Sequence, residues 1–221
     1  MHSSFSKNIA QLISWLFHPL LILTYMMCLL MLINPYAFGV SRLGEGRSDI
    51  LLIYVFLLST MIPAIIISMM KNLGMMTTAH ASDRTARIGP FLVSGVLYLW
   101  LFVNFDRLPD IPVVFKSAIL GVIIALFTAF LLNLFSKICI HTVGMGSLIG
   151  MIIVTMLLFS YNSFQFGEYS FSMYTLLFLV IGLAGLVGSA RMILENLSPK
   201  DLYGGYLVGF STQLIALQFV L

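Results

Sequence analysis

Charge is what this sequence has least of. Of 221 residues, 11 are Lys or Arg and 8 are Asp or Glu, together 9%, while 60% are hydrophobic. Soluble domains carry about a quarter charged residues. So few charges cannot cover an aqueous surface, and a water-soluble globular fold is excluded. Cysteine is nearly absent too. Cys28 lies in an apolar run and Cys139 beside a polar segment, which leaves neither a disulfide framework nor a metal-ligand spacing. The net charge of +3 is scattered over several loops; with no polybasic tail or stripe, no nucleic-acid partner is expected. No Pro/Ser-rich linker, low-complexity tract or fixed-period repeat divides the chain, so 1–221 reads as a single transmembrane domain.

What the chain does have is long apolar runs. Segments at roughly 10–34, 50–70, 90–105, 113–135, 143–161, 171–189 and 203–221 recur at the length needed to cross a hydrocarbon core of about 30 Å. They are continuously apolar rather than alternating, which selects helices over a barrel. The expected fold is all-α, a polytopic transmembrane helical bundle of six to seven membrane helices. The segment at 90–105 is the shortest, spanning only about 23 Å as a helix; a tilted, partly buried helix or one arm of a re-entrant pair fits that length, and a true crossing is the simpler reading. The first run follows Lys7, extends from about Leu12 to Leu32 and lacks a small-x-small cleavage site, so it reads as an uncleaved anchor helix. Trp15, Trp100, Tyr161 and Tyr174 read as interface anchors. The partners this implies are membrane lipids, and the expected location is a bacterial inner (cytoplasmic) membrane.

Seven crossings put the gaps at 71–89, 136–142 and 190–202 on the side of the N-terminus. These gaps hold Lys71, His80, Asp83, Arg84, Arg87, Lys137, His141, Arg191, Glu195, Lys200 and Asp201, most of the titratable side chains. The opposite face holds Arg42, Glu45, Arg47, Asp49, Asp106, Arg107, Asp110, Lys116 and Glu168, more evenly mixed in sign. Counting Lys7, the first face carries seven Lys and Arg against four, which would make it cytoplasmic under the positive-inside rule. If Arg84, Arg87, Lys137 and Arg191 serve a site instead, the count falls to three against four and the rule no longer chooses.

Three polar islands stand out in those gaps. The first, His80-Ala81-Ser82-Asp83-Arg84-Thr85-Ala86-Arg87-Ile88-Gly89-Pro90, puts two arginines three residues apart, on one face if helical. Two guanidiniums so close repel each other unless an anion lies between them, and phosphate suits their geometry best; the plainer reading is a pair of interfacial arginines snorkelling to headgroups. In the second, Ser136-Lys137-Ile138-Cys139-Ile140-His141, His141 can serve as a general acid near neutral pH or simply be structural. Gly144, Gly146 and Gly150 after it read as close-packing positions. In the third, Arg191 closes one apolar segment, a Ser198-Pro199 turn follows, and Asp201 opens the next, where it suits a helix cap. Gly205 and Gly209 have the small-xxx-small spacing of closely packed membrane helices.

An arginine island, then a histidine, then Arg…Asp, on one side of a helical bundle, resembles the type 2 phosphatidic acid phosphatase superfamily, membrane phosphatases related to vanadium haloperoxidases. The resemblance covers roughly 80–215 and is carried mostly by the third island. The family's last motif is Ser-Arg, five residues, His, three residues, Asp, then a glycine-rich helix; laying Arg191 on its arginine matches Pro199, Asp201, Gly205 and Gly209. The middle motif, Pro-Ser-Gly-His, corresponds to Ile138-Cys139-Ile140-His141. The first, Lys, six residues, Arg-Pro, places His80 on the lysine and Arg87 on the arginine, with Arg84 able to replace the lysine's charge. What the resemblance implies is a phosphatase-like site without a cofactor, for a lipid phosphate or polyprenyl diphosphate. His141 and Asp201 would stand in catalytic positions, with Arg84, Arg87, Arg191 and His80 around the phosphate.

This chain departs from the family at the histidine that attacks phosphorus, since position 197 is leucine. Leucine has no lone pair to offer, which favours lost or altered hydrolysis with retained binding. A different class of function is a small anion or lipid transporter, or a scaffold, with buried Arg and His along a polar path; transporter halves should show internal symmetry, and none is visible. A prenyl-transfer enzyme would need clustered aspartates, and Asp83, Asp106, Asp110 and Asp201 are dispersed.

Overall fold

The computed structural model describes residues 4–41, 44, 46–74, 88–159, 162–166, 168–195 and 197–220. Among the described residues six stretches are long and apolar enough to cross a membrane: Phe5–Ile33, Arg47–Asn72, Ile88–Asp106, Val113–Phe135, Ile140–Leu158 and Met173–Glu195. The chain is a multi-pass, all-α membrane protein, as its composition requires.

The first stretch is two helices, not the single anchor expected over 10–34. Helix α1 (Ser4–Leu16) and helix α2 (Ile22–Ile33) are separated by a 3-10 turn, Pro19–Leu21. The cause is Pro19: its ring disfavours a helical residue before it, and His18 is extended, at φ −63° and ψ 138°. His18 Nδ1 then accepts the Leu20 N–H at 3.4 Å. The Tyr25 hydroxyl reaches back from α2 to the Leu16 carbonyl at 2.7 Å, and the Phe17 and Tyr25 rings meet edge to face. α1 docks chiefly on helix α8, described below.

The second stretch is likewise interrupted. Helix α3 (Arg47–Phe56) passes through a π-turn at Leu57–Met61 into helix α4 (Ile62–Asn72). Pro63 has no N–H for the ladder, which frees the Ser59 carbonyl four residues earlier, and the buried Tyr98 hydroxyl donates to that carbonyl at 3.1 Å. Tyr98 belongs to helix α5 (Ile88–Asp106), the short segment of the sequence reading; its 19 residues rise about 28 Å. Helices α6 (Val113–Phe135) and α7 (Ile140–Leu158) follow. A small antiparallel hairpin that the sequence reading did not foresee, strands β1 (Ser163–Phe166) and β2 (Tyr169–Ser172), pairs Ser163 with Ser172 and Phe166 with Tyr169. Helix α8 (Met173–Glu195) and helix α9 (Pro199–Val220) complete the fold.

α9 occupies the seventh expected segment but is not among the six most apolar stretches, and its packing explains why. It lies against α7 and α6, burying Gly205, Gly209, Thr212 and Gln213, so part of its surface meets protein instead of lipid. The seam with α7 is built for close approach. A Cβ on Gly209 would overlap the Val143 carbonyl, one on Gly205 the Thr142 hydroxyl, and one on Gly146 the Tyr206 carbonyl. Gln213 donates to the Ala118 carbonyl of α6 at 3.4 Å. Elsewhere the core is aliphatic, sulfur-rich and aromatic: Leu23, Met26, Met27 and Met31 of α2 pack with Leu101, Phe105, Phe115, Ile119, Met145 and Ile152. At the end away from His141 and Arg191, Arg47 pairs with Asp110 at 2.6 Å and Lys116 approaches Asp106 at 4.0 Å.

Candidate functional site

The second and third islands meet. α6 stops at Phe135, where Ser136 turns extended, and the Asn133 side-chain oxygen accepts the Ile138 N–H at 3.2 Å. That places His141 in the first turn of α7. On the other side, α8 ends at Glu195 and the Cys139 N–H reaches the Asp201 carbonyl at 3.5 Å, which fastens the α6–α7 connection to the α8–α9 connection. Tyr206 of α9 donates to the Ala184 carbonyl at 2.5 Å and lies against Gly188, where a Cβ would come within 2.6 Å of its hydroxyl oxygen. These contacts tie α8 to α9, which packs on α7 as α8 does, and Arg191 turns inward.

Between Arg191 and His141 stands Ser14, from α1. Arg191 Nη1 donates to Ser14 Oγ at 2.8 Å, and Ser14 Oγ lies 3.1 Å from His141 Nε2. The guanidinium can only donate, so the serine oxygen accepts from it. His18 completes the group, its ring edge to face with that of His141 at a centroid separation of 5.6 Å. Ser14 is 5% exposed, and the Arg191 side chain is 12% exposed. Arg191 also pairs through Nη2 with half-exposed Glu195, one turn further along α8. Its Nε–H is buried and, among the described residues, has no acceptor. A buried unmade donor on a charged group is costly, and in a membrane bundle such a group marks a functional position by default.

Asp201 does not join this cluster. Its carboxylate accepts the Ser198 N–H at 3.0 Å and the Ser198 hydroxyl at 2.8 Å, while its own N–H points back to Ser198 Oγ at 3.4 Å. With Pro199 in the first helical position, this is a reciprocal capping box at the start of α9, the plainer of the two roles its position allowed. His80, Arg84 and Arg87 lie outside the described residues. Leu197 stands in the short link between α8 and α9, with no chemistry of its own to supply. Among the described residues no three His, Cys, Asp or Glu side chains gather closely enough to hold a metal ion.

Sequence reasoning missed Ser14 and His18. Both sit in the first apolar run, 127 and 123 positions from His141, where no motif spacing reaches. A signal was nevertheless present. Ser14 and His18 are four residues apart, and a histidine followed by proline inside an apolar run is both an ionisable group and a helix breaker.

In chemical terms an arginine with an unused N–H, two imidazoles and a hydroxyl converge from α1, the link after it, α7 and α8, a donor set of the kind an oxyanion can accept from. No family model matches the chain, and no curated protein or solved structure does.

Proposed function

We propose that this membrane protein is phosphatase-like, binding the phosphate headgroup of a lipid phosphate or polyprenyl diphosphate at the end of the bundle that holds Arg191 and His141, with hydrolysis lost or altered. The observation that carries this reading is the convergence of Arg191 and His141, from separate helices, on one buried oxygen, with Arg191 Nε–H left over. Arginine presents its N–H groups as a planar fork suited to phosphate, and a serine hydroxyl satisfies one of them only. Two imidazoles beside it add donors able to meet further phosphate oxygens. Leu197 speaks for binding over turnover, because the resembling phosphatases attack phosphorus from a histidine there.

The reading is tested with purified protein in maltoside micelles, titrated with dioctanoyl phosphatidic acid and, as control, dioctanoyl phosphatidylcholine. Arg191→Gln and His141→Ala should each weaken phosphatidic acid binding at least about tenfold, the size of one lost charge-assisted hydrogen bond. Phosphate release should be absent in the parent and appear in Leu197→His. Equal affinity for both lipids, or binding that survives Arg191→Gln, would sink the assignment.

A further inference from the structure

We infer that α1 is a lid over this anion site, and that Ser14 Oγ holds the place of a phosphate oxygen until a lipid headgroup displaces it. The inference rests on the reading above. Three independent features lead to it. Ser14 Oγ occupies the point that both Arg191 Nη1 and His141 Nε2 address, at 2.8 and 3.1 Å. These are hydrogen-bond distances that a phosphate oxygen would also satisfy. The substitution is incomplete, because one hydroxyl cannot serve two edges of a guanidinium, and the Nε–H is left bare. A tetrahedral phosphate brings several acceptor oxygens to the same place and removes that deficit.

The second feature is how α1 is attached. It is held chiefly against α8, and the residues it buries are few: Ala10 and Ser14 are 2% and 5% exposed. α1 is joined to the bundle through the extended His18 and the Pro19–Leu21 turn, a break in the helical ladder where a change of φ and ψ moves α1 without unwinding α2. His18 is thus at once the hinge and a member of the cluster, since its ring meets that of His141.

The third feature is the outer face of α1. Phe5, Leu12, Trp15 and Leu16 are all more than half exposed, on a helix that also carries Lys7, Asn8 and Gln11. This is the composition of a helix that rests in the interface of a bilayer with an aromatic anchor. Displaced from α8, such a helix remains with lipid, so opening exposes no apolar face to water. A headgroup therefore enters from the membrane side, between α1 and α8, and the ligand class is a phosphate monoester or diphosphate carried on a lipid chain.

Two measurements test the lid. In the first, dioctanoyl phosphatidic acid is titrated calorimetrically into the parent and Ser14→Ala in micelles. In the second, the thiol of Ser14→Cys, in a Cys28→Ala/Cys139→Ala background in nanodiscs, is labelled with a maleimide, with and without phosphatidic acid or inorganic phosphate. Removing the internal occupant should tighten lipid binding about tenfold, and labelling should be slow at rest and several-fold faster with phosphatidic acid but not with inorganic phosphate. If the parent binds the lipid through Arg191 but Ser14→Ala binds no better and labelling is unchanged by lipid, the lid is wrong while the anion site stands. If neither protein binds phosphatidic acid, the anion site itself falls, and the lid with it. If inorganic phosphate alone speeds labelling as much as the lipid does, the lid holds and the lipid chain is overturned as part of the ligand.

Discussion

At the scale of single residues, Arg191 and Asp201 show how differently two charges in one island can be used. Arg191 is buried with a donor unspent; Asp201 is fully engaged in closing the first turn of α9. Asp201→Ala should therefore cost about 1 kcal/mol of stability, the usual worth of a capping side chain, seen as a lower thermal midpoint in detergent. Phosphatidic acid affinity should stay at the parent value. A loss of binding as large as that of Arg191→Gln, without a stability change, would return Asp201 to the site. The Ser198-Pro199-Lys200-Asp201 run was legible as a cap and, through the resemblance, as a catalytic aspartate, because Asp201 stands both three residues after Ser198, as a capping box requires, and ten after Arg191, as the family motif does. Ser14 and His18 were not legible, since a hydroxyl in an apolar helix looks like any other small packing residue until its partner, far along the chain, is placed beside it.

At the scale of elements, the two broken helices each take a side-chain hydrogen bond from another element at a backbone carbonyl near the break. Where Pro63 frees the Ser59 carbonyl, Tyr98 of α5 supplies the donor. Near Pro19, the Thr60 hydroxyl of the π-turn donates to the Leu20 carbonyl at 2.8 Å, and Ser59 and Thr60 both lie within hydrogen-bond reach of Thr24. The breaks are thereby stitched to each other across α2, α3–α4 and α5. Tyr98→Phe should cost about 1–3 kcal/mol by orphaning a buried carbonyl. In a Pro63→Ala background, where an N–H returns to the ladder, the cost should shrink by about 0.5 kcal/mol or more. Additive losses in a double-mutant cycle followed by denaturant titration would show that the two positions do not share that carbonyl. The apolar runs revealed every long helix, because burial in lipid requires them. They hid the breaks and the hairpin at 163–172, because a run of hydropathy records neither a freed carbonyl nor a strand four residues long.

At the scale of the whole molecule, the alternation of crossings gathers polar side chains at one end and ordinary ion pairs at the other. The connections before α7 and before α9 are tied together by the Cys139 N–H on the Asp201 carbonyl, so they face the same side of the membrane. Single cysteines at Lys137 and Lys200 should react with an impermeant reagent from one side, and cysteines at Arg107 and Glu168 from the other, in a Cys28→Ala/Cys139→Ala background. Labelling of Lys137→Cys and Arg107→Cys from the same side would break the crossing pattern.

The glycine seam between α7 and α9 also bears on how such a protein is made. α9 is synthesised after α7, and its Gln213, Thr212 and glycines make it a weak candidate for entering lipid unaided. Until it arrives, Gly146 and Gly150 of α7 and Gly121 of α6 form an empty groove whose close partners, the Tyr206 backbone and the Gln213 side chain, do not yet exist. The insertion machinery must therefore release α9 beside helices already in place, and the bundle closes only when that helix slots home.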